Sequence, residues 1–326
     1  MSFLIGTDEA GYGPLLGPLV VAATVWELPD DGEEPADVDL YARLRHCICR
    51  RAPRTTHGSP RRLPIADSKV LYKPGQGLGQ LEQGVLAAQA LLGDTPGTWH
   101  DAWNAFCPQG LDEWEAAPWH ADYEAHLPLA ANSGEIKRLA GKLRAGCERA
   151  GIRLCAIGSR AIFPDQFNKL LEQYGNKSDA LSAVSLELLS EMMVPLAGAR
   201  VSVICDKHGG RNHYAPLVQH YFPEWMVEVR REGTQESRYT FGSDPLPTTI
   251  CFRCRAEQAV PVALASMTAK YLRELAMRAF NDYWCRHMPE LRPTAGYAQD
   301  ARRFRTQIAS LQTALGINDR QLWRAK

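Results

Sequence analysis

The 326-residue chain has no apolar run long enough to cross a bilayer. Its opening, "MSFLIGTDEAG", lacks the basic start and apolar core of a signal peptide, so none is expected. Net charge is also lacking, because 37 Lys and Arg balance 37 Asp and Glu. A non-specific nucleic-acid binder is usually basic throughout, so any such contact must come from a local patch. The nine cysteines are odd in number and scattered. That excludes a dense disulfide framework and suggests reduced thiols in a cytoplasmic protein. "CFRC" (251–254) is one CxxC with no second pair nearby. A structural zinc needs four ligands, so buried thiols are the expectation there. Internal repeats and low-complexity tracts are absent too.

What remains is ordinary globular composition with mixed periodicity. "FLIGTDEAG" and "PLVVAATVWEL" (18–28) read as apolar strands, and the glycine-rich link between them predicts an antiparallel hairpin. "PDDGEEPADVD" (29–39) is acidic and turn-rich, whereas "RRAPRTTHGSPRR" (50–62) carries five arginines and reads as an exposed loop. Helical spacing appears at 78–93, 133–151, 164–175, 177–193, 260–284 and 300–316. Strands are predicted at 152–163 and 199–206, and a hairpin at 224–241 around Gly233. Residues 94–134 hold four of the eight tryptophans. They read as a compact insertion with apolar contacts of its own, with a base-stacking surface as the alternative. The mixture predicts one α/β domain over 1–326 with a mixed sheet and insertions at about 29–62 and 94–134.

Three places carry unusual chemistry. Asp8 and Glu9 are adjacent acids at the end of an apolar strand. Neighbours on a strand point to opposite faces, so both can address one site only where the strand breaks, and Gly11 and Gly13 supply a break. Asp206 ends the strand "VSVIC" and meets flexible "KHGG". Ser266, Lys270 and Glu274 recur every fourth residue and share a helix face. Singly, each has a plain alternative: a solvated corner, a turn cap, a surface ion pair. Together they suggest a hard divalent cation. Clustered carboxylates repel one another unless a metal neutralises them, and two-metal enzymes use such clusters to activate water against a phosphodiester.

These segments resemble ribonuclease HII. "DEAGYGPLLGPLVVAA" is similar to that family's opening DEAGRGPLAGPVVAAA, and "ADSKVL" (66–71) to its DSKKL. "VICDKHGG" falls where a strand ends in the family's third acid. "RAEQAVPVALASMTAKYLRELAM" (255–277) resembles KAD…IAAASIxAKVxRDxxM, and "TAGYAQDARRF" (294–304) its GYGT segment. The order matches from residue 4 to about 316, outside the two insertions. The resemblance implies a ribonuclease H-like fold, a mixed five-stranded sheet flanked by helices. It also implies Mg²⁺- or Mn²⁺-dependent hydrolysis of the RNA strand of RNA–DNA hybrids or ribonucleotide-containing duplexes, leaving 5′-phosphate and 3′-hydroxyl ends. Carried over residue by residue, Asp8, Glu9, Asp206 and Glu274 would be the catalytic, metal-holding acids. Gly11, Tyr12 and Gly13 would read the 2′-hydroxyl, Tyr297 would stack on a deoxyribose, and Ser68, Lys69 and Lys270 would lie near phosphates or orient the acids.

This sequence departs from the family pattern at Tyr12 (usually Arg), Lys207 (usually Gly) and Glu274 (usually Asp). Lys207 is expected to neutralise part of the acid cluster. The extra N-terminal domain of the related ribonuclease HIII is not expected, since Asp8 lies so near the start. A monomer with no membrane contact is expected. Two other readings stay open: a non-catalytic nucleic-acid-binding protein on the same fold, and a related nuclease with a different nucleic-acid substrate.

Overall fold

Alternating apolar residues build the centre of the molecule. The computed structural model describes residues 1–51, 61–73, 75, 77–110 and 117–325. Most of the arginine-rich loop, Trp114 and Lys326 therefore lie outside the described residues. Seven strands form one sheet: β1 (Ser2–Ala10), β2 (Leu19–Leu28), β3 (Arg153–Ile162), β4 (Arg200–Asp206), β5 (Glu228–Arg231), β6 (Glu236–Phe241) and β7 (Thr248–Arg253). Their order is β3-β2-β1-β4-β7-β6-β5. β1 pairs antiparallel with β2 and β2 with β3, while β4 is parallel to β1 and β7 to β4. The first five positions are the mixed five-stranded sheet of a ribonuclease H-like fold, and the β5–β6 hairpin extends it on one edge.

Period two sorts the side chains into layers. Leu4, Val20, Ala22, Trp26 and Ile204 face one core, and Phe3, Ile5, Val21, Ala23 and Val203 face another. The first core is closed by α1 (Gly79–Gln89), α2 (Trp99–Phe106), α3 (Ser133–Ala150) and α6 (Val260–His287). The second is closed by α4 (Pro164–Tyr174) and α5 (Lys177–Met193). A third, smaller core joins the end of α6 to α7 (Ala298–Ala314) through Phe280, Trp284, Phe304 and Ile308. The long helix α6 lies directly on β1. A Cβ at Gly6 would stand 2.3 Å from the Val262 nitrogen, so only glycine permits this approach.

Helix ends follow local chemistry. Asn132 caps α3 through the Glu135 N–H, and Gly151 ends it in the left-handed region. Asn176 caps α5 in the same way through Asp179. The strand Thr248–Arg253 was not expected from the sequence. It is six residues long and its pattern is masked by "CFRC". Cys251 is buried in this strand, but Cys254 just beyond it is exposed, which corrects the expectation of two buried thiols.

The tryptophan-rich insertion is also corrected. Trp99, Trp103 and Trp119 are buried, so they offer no stacking surface. Trp99 and Trp103 belong to the first core, and Trp99 Nε1 donates to the Leu275 carbonyl of α6 at 3.1 Å. The insertion thus packs into the cores of the domain, Trp99 and Trp103 into the first and Trp119 into the third, instead of having its own. Its return is anchored by the fully buried Glu82 of α1. That carboxylate accepts from the N–H groups of Leu129, Ala130 and Ala131 at 2.6–2.8 Å and from the Tyr271 hydroxyl at 3.0 Å. No helix among the described residues is long and apolar enough to cross a membrane.

Candidate active site

The parallel pairing of β1 with β4 sets the site. Thr7 pairs with Cys205, so the next step along both strands places Asp8 beside Asp206. Both follow the face of Leu4 and Ile204, which is the α6 side. There the Ser266 hydroxyl of α6 hydrogen-bonds Asp8 and lies 3.1 Å from the Ser68 hydroxyl. The Asp8 carboxylate also accepts the Glu9 N–H at 2.8 Å. Burial, then the charges of Glu9 and Asp206, push the Asp8 carboxyl well above its usual range, and the Ser266 bond opposes them in part. Glu9 is pushed up to about 7, first by burial and then by Asp206, with Lys69 opposing. Asp206 is raised by burial, while the backbone at Lys207 and Ala256 and the charge of Lys69 favour its ionised form.

Lys69 is the counter-charge. It sits in the short helix Ser68–Leu71, capped by Asp67. Burial works against its charge, but Asp67, Asp8, Asp206 and Glu9 outweigh burial and raise its pKa. Lys207 does not play this part. Its ammonium donates to the carbonyls of Arg211 and Gly233 and to Asn212 Oδ1, at 3.1, 2.6 and 2.8 Å. It points away from the acids and locks the loop after β4 to the β5–β6 hairpin. The expected neutralisation by Lys207 is therefore replaced by Lys69.

Two predicted residues stand apart from this cluster. Lys270 pairs with Glu274 and lies 4.6 Å over the Tyr72 ring, and the Tyr72 hydroxyl donates to Glu274 at 2.9 Å. Glu274 is eight residues beyond Ser266, about 12 Å further along the helix at 1.5 Å per residue. It is not among the leading causes of the shifts at Asp8, Glu9 or Asp206. A different carboxylate joins them. Glu257 follows β7, and its pKa is raised by burial and by the charges of Asp206 and Asp67, with Lys69 opposing. Arg255 turns the chain there at φ 58°, the one positive-φ residue other than glycine among the described residues. That turn sets the Ala256 backbone against Asp206. The sequence did hold a signal for Glu257, as the third residue of "RAE" where the resembling family has KAD.

The loop Gly11–Pro18 borders the acids. Gly11 has φ +92°, and a Cβ there would lie 2.5 Å from the Pro18 carbonyl oxygen, so the position demands glycine. Gly13 is exposed, with open space where a side chain would be. Tyr12 packs toward Gly209, and burial followed by the charge of Glu9 raises its phenol pKa. Tyr297 is 57% exposed at the start of α7, and its neighbour Gly296 accepts the Leu15 N–H at 2.8 Å. Behind the loop the buried Arg273 donates to the carbonyls of Leu16 and Ala295, both at 3.2 Å.

The donor set suits a hard cation. Carboxylates that raise one another's pKa repel when ionised, and a divalent ion bound among them relieves that repulsion. Among the described residues, however, no three His, Cys, Asp or Glu side chains are drawn together as a ready-made metal cage. The chemistry fits a metal, while convergence of the donors is incomplete.

No protein-family model and no curated protein matches the chain. Among solved structures it is similar to the RNase HII of Archaeoglobus fulgidus, determined in complex with PCNA. The two are 15% identical over 99% of this chain and 94% of that one, with a TM-score of 0.43. It is similar to the ribonuclease H2 of Pyrococcus horikoshii OT3, at 15% identity over 98% and 92% of the two chains and a TM-score of 0.44. It is also similar to Bst-RNase HIII in complex with Mn²⁺, at 14% identity over 99% and 66%, with a TM-score of 0.40. The ribonuclease H-like architecture itself is carried by the order and direction of the strands.

Proposed function

We propose that this chain is a metal-dependent endonuclease that hydrolyses the RNA strand of RNA–DNA hybrids. The observation that carries this reading is the electrostatic coupling of Asp8, Glu9 and Asp206 to one another, of Glu257 to Asp206, and of Lys69 to these acids, beside a glycine loop with bare backbone. Asp8, Glu9 and Asp206 would hold Mg²⁺ or Mn²⁺, and Glu257, in place of Glu274, would complete the set. When bound, the ions would lower the pKa of water and neutralise charge on the phosphodiester. Ser266 orients the Asp8 carboxylate, and the charge of Lys69 opposes the upward shifts of Glu9, Asp206 and Glu257. Gly11, Tyr12 and Gly13 offer backbone N–H groups to a sugar–phosphate chain, and exposed Tyr297 offers a ring face to a sugar.

A labelled hybrid incubated with Mg²⁺ or Mn²⁺ tests this reading. Cleavage is expected to vanish in Asp8→Asn, Asp206→Asn and Glu257→Gln and to survive in Glu274→Gln. Cleavage that is absent with both metals, or untouched by Asp8→Asn, sinks the proposal. Running RNA, DNA and single-ribonucleotide duplexes alongside separates a hybrid nuclease from one with another substrate. The incomplete convergence of the acids favours one rival, a non-catalytic binder. That rival requires hybrid binding that persists without metal and without Asp206.

A further inference from the structure

We propose that residues Trp323–Ala325 form a strap that holds the substrate-facing loop in shape, with Arg324 as its positioning residue; this rests on the nuclease reading above. Arg324 is 3% exposed although it is a charged side chain near the end of the described residues. Its backbone N–H donates to the Leu15 carbonyl at 2.9 Å. Its guanidinium donates to the Gly11 carbonyl and, at 3.3 Å, to the Tyr12 carbonyl, and its carbon lies 3.8 Å over the Phe167 ring. Asn168 clamps the strap from both sides, donating to the Trp323 carbonyl at 2.8 Å and accepting the Ala325 N–H at 2.7 Å.

Peptide geometry gives these bonds their consequence. Across a planar trans peptide the carbonyl and the next N–H point in opposite directions. Holding the Gly11 oxygen therefore aims the Tyr12 N–H, and holding the Tyr12 oxygen aims the Gly13 N–H, both away from the guanidinium. The carbonyls of Gly11, Tyr12, Leu15 and Leu16 are all occupied by Arg324 or Arg273. Carbonyl oxygens repel phosphate and N–H groups attract it, so turning the oxygens inward favours a phosphodiester on the other side. With glycines at 11 and 13, the loop has little side-chain packing to keep that shape alone. Arg suits the task because its planar fork can hold two oxygens at once, which an ammonium does less well.

The test uses Arg324→Ala, Arg324→Lys and, as a variant that loosens the strap without touching the guanidinium, Asn168→Ala. Amide hydrogen exchange over residues 11–16 reads the loop without any substrate. Exchange is expected to quicken about tenfold in Arg324→Ala, the scale of one lost charge-assisted hydrogen bond, and to recover in part in Arg324→Lys. On a hybrid, KM is expected to rise about tenfold while kcat changes less than about twofold, with the unfolding midpoint kept in Arg324→Lys and Asn168→Ala. Unchanged exchange at 11–16 in Arg324→Ala overturns the strap. Faster exchange with unchanged KM overturns the positioning role. If the parent protein neither binds nor cleaves a hybrid, the nuclease reading falls, and exchange alone then judges the strap.

Discussion

Replacing Glu9 by glutamine is expected to make the metal-free protein more stable and to remove most of the stability it gains from metal. Burial and Asp206 raise the Glu9 carboxyl from 4.5 to about 7. Below pH 4.5 the carboxyl is protonated in both the folded and unfolded chain and contributes nothing. Between pH 4.5 and 7 the folded form keeps a proton that the unfolded form has lost, so stability falls as pH rises, then levels. At 1.36 kcal/mol per unit the fall is at most about 3 kcal/mol, and the open edge of the side chain reduces it to about 1–2 kcal/mol. Glutamine has no such titration. Urea unfolding at pH 4.5 and pH 8, with chelator and with excess Mg²⁺ or Mn²⁺, reads both effects. Metal should stabilise the parent at pH 8 by RT ln(1 + [L]/Kd), and the variant much less. A stability gap between variant and parent that stays constant with pH refutes the charge argument. Equal stabilisation of both proteins by metal refutes the role of Glu9 as a ligand.

Lys69 lowers the pKa of Glu9 and Glu257, so Lys69→Met should move the acidic limb of the pH–rate profile upward by about one unit; a limb that stays or moves down contradicts its role as counter-charge. Glu82→Ala leaves three backbone N–H groups and the Tyr271 hydroxyl without their acceptor. It should cost about 3–5 kcal/mol in chemical unfolding and expose residues 129–131 to hydrogen exchange. Gly11→Ala forces a side chain into φ +92° and against Pro18. A loss of about 2–4 kcal/mol, or an equivalent fall in hybrid affinity with the fold retained, is the expected result in unfolding and binding assays.

Much of this architecture was legible in the sequence because the long elements keep strict periods. The span 177–193 is a helix from end to end, and 133–151 starts and stops at its own cap and glycine. The strand Thr248–Arg253 was missed because six residues carry too little periodicity to stand out beside a cysteine motif. The core that Trp99 and Trp103 join was misjudged, though their apolar packing was not, because local sequence does not say which core a tryptophan enters. The direction of Lys207 was misjudged for a related reason: besides Arg211 and Asn212 nearby, it bonds Gly233 on a hairpin that approaches only after the chain has folded.

The fourth acid shows where local reading fails and topology decides. Lys270 and Glu274 share a helix face with Ser266, so spacing alone seats all three together. Distance along the axis separates them, and Glu274 is satisfied by Lys270 and Tyr72. Glu257 has no periodic pattern to announce it, since it lies in a single turn, Ala256–Gln258, after the unrecognised strand. What brings it in is the sheet. β1, β4 and β7 are parallel neighbours, about 4.8 Å apart, and run in the same direction. Parallel neighbours end on the same edge, so chain segments nearly 250 residues apart deliver Asp8, Asp206 and, one turn later, Glu257 to one place. An acid leaving a strand end in such a sheet meets the acids of the adjacent ends whatever its separation in sequence. A helical acid two turns away does not, even when its spacing matches.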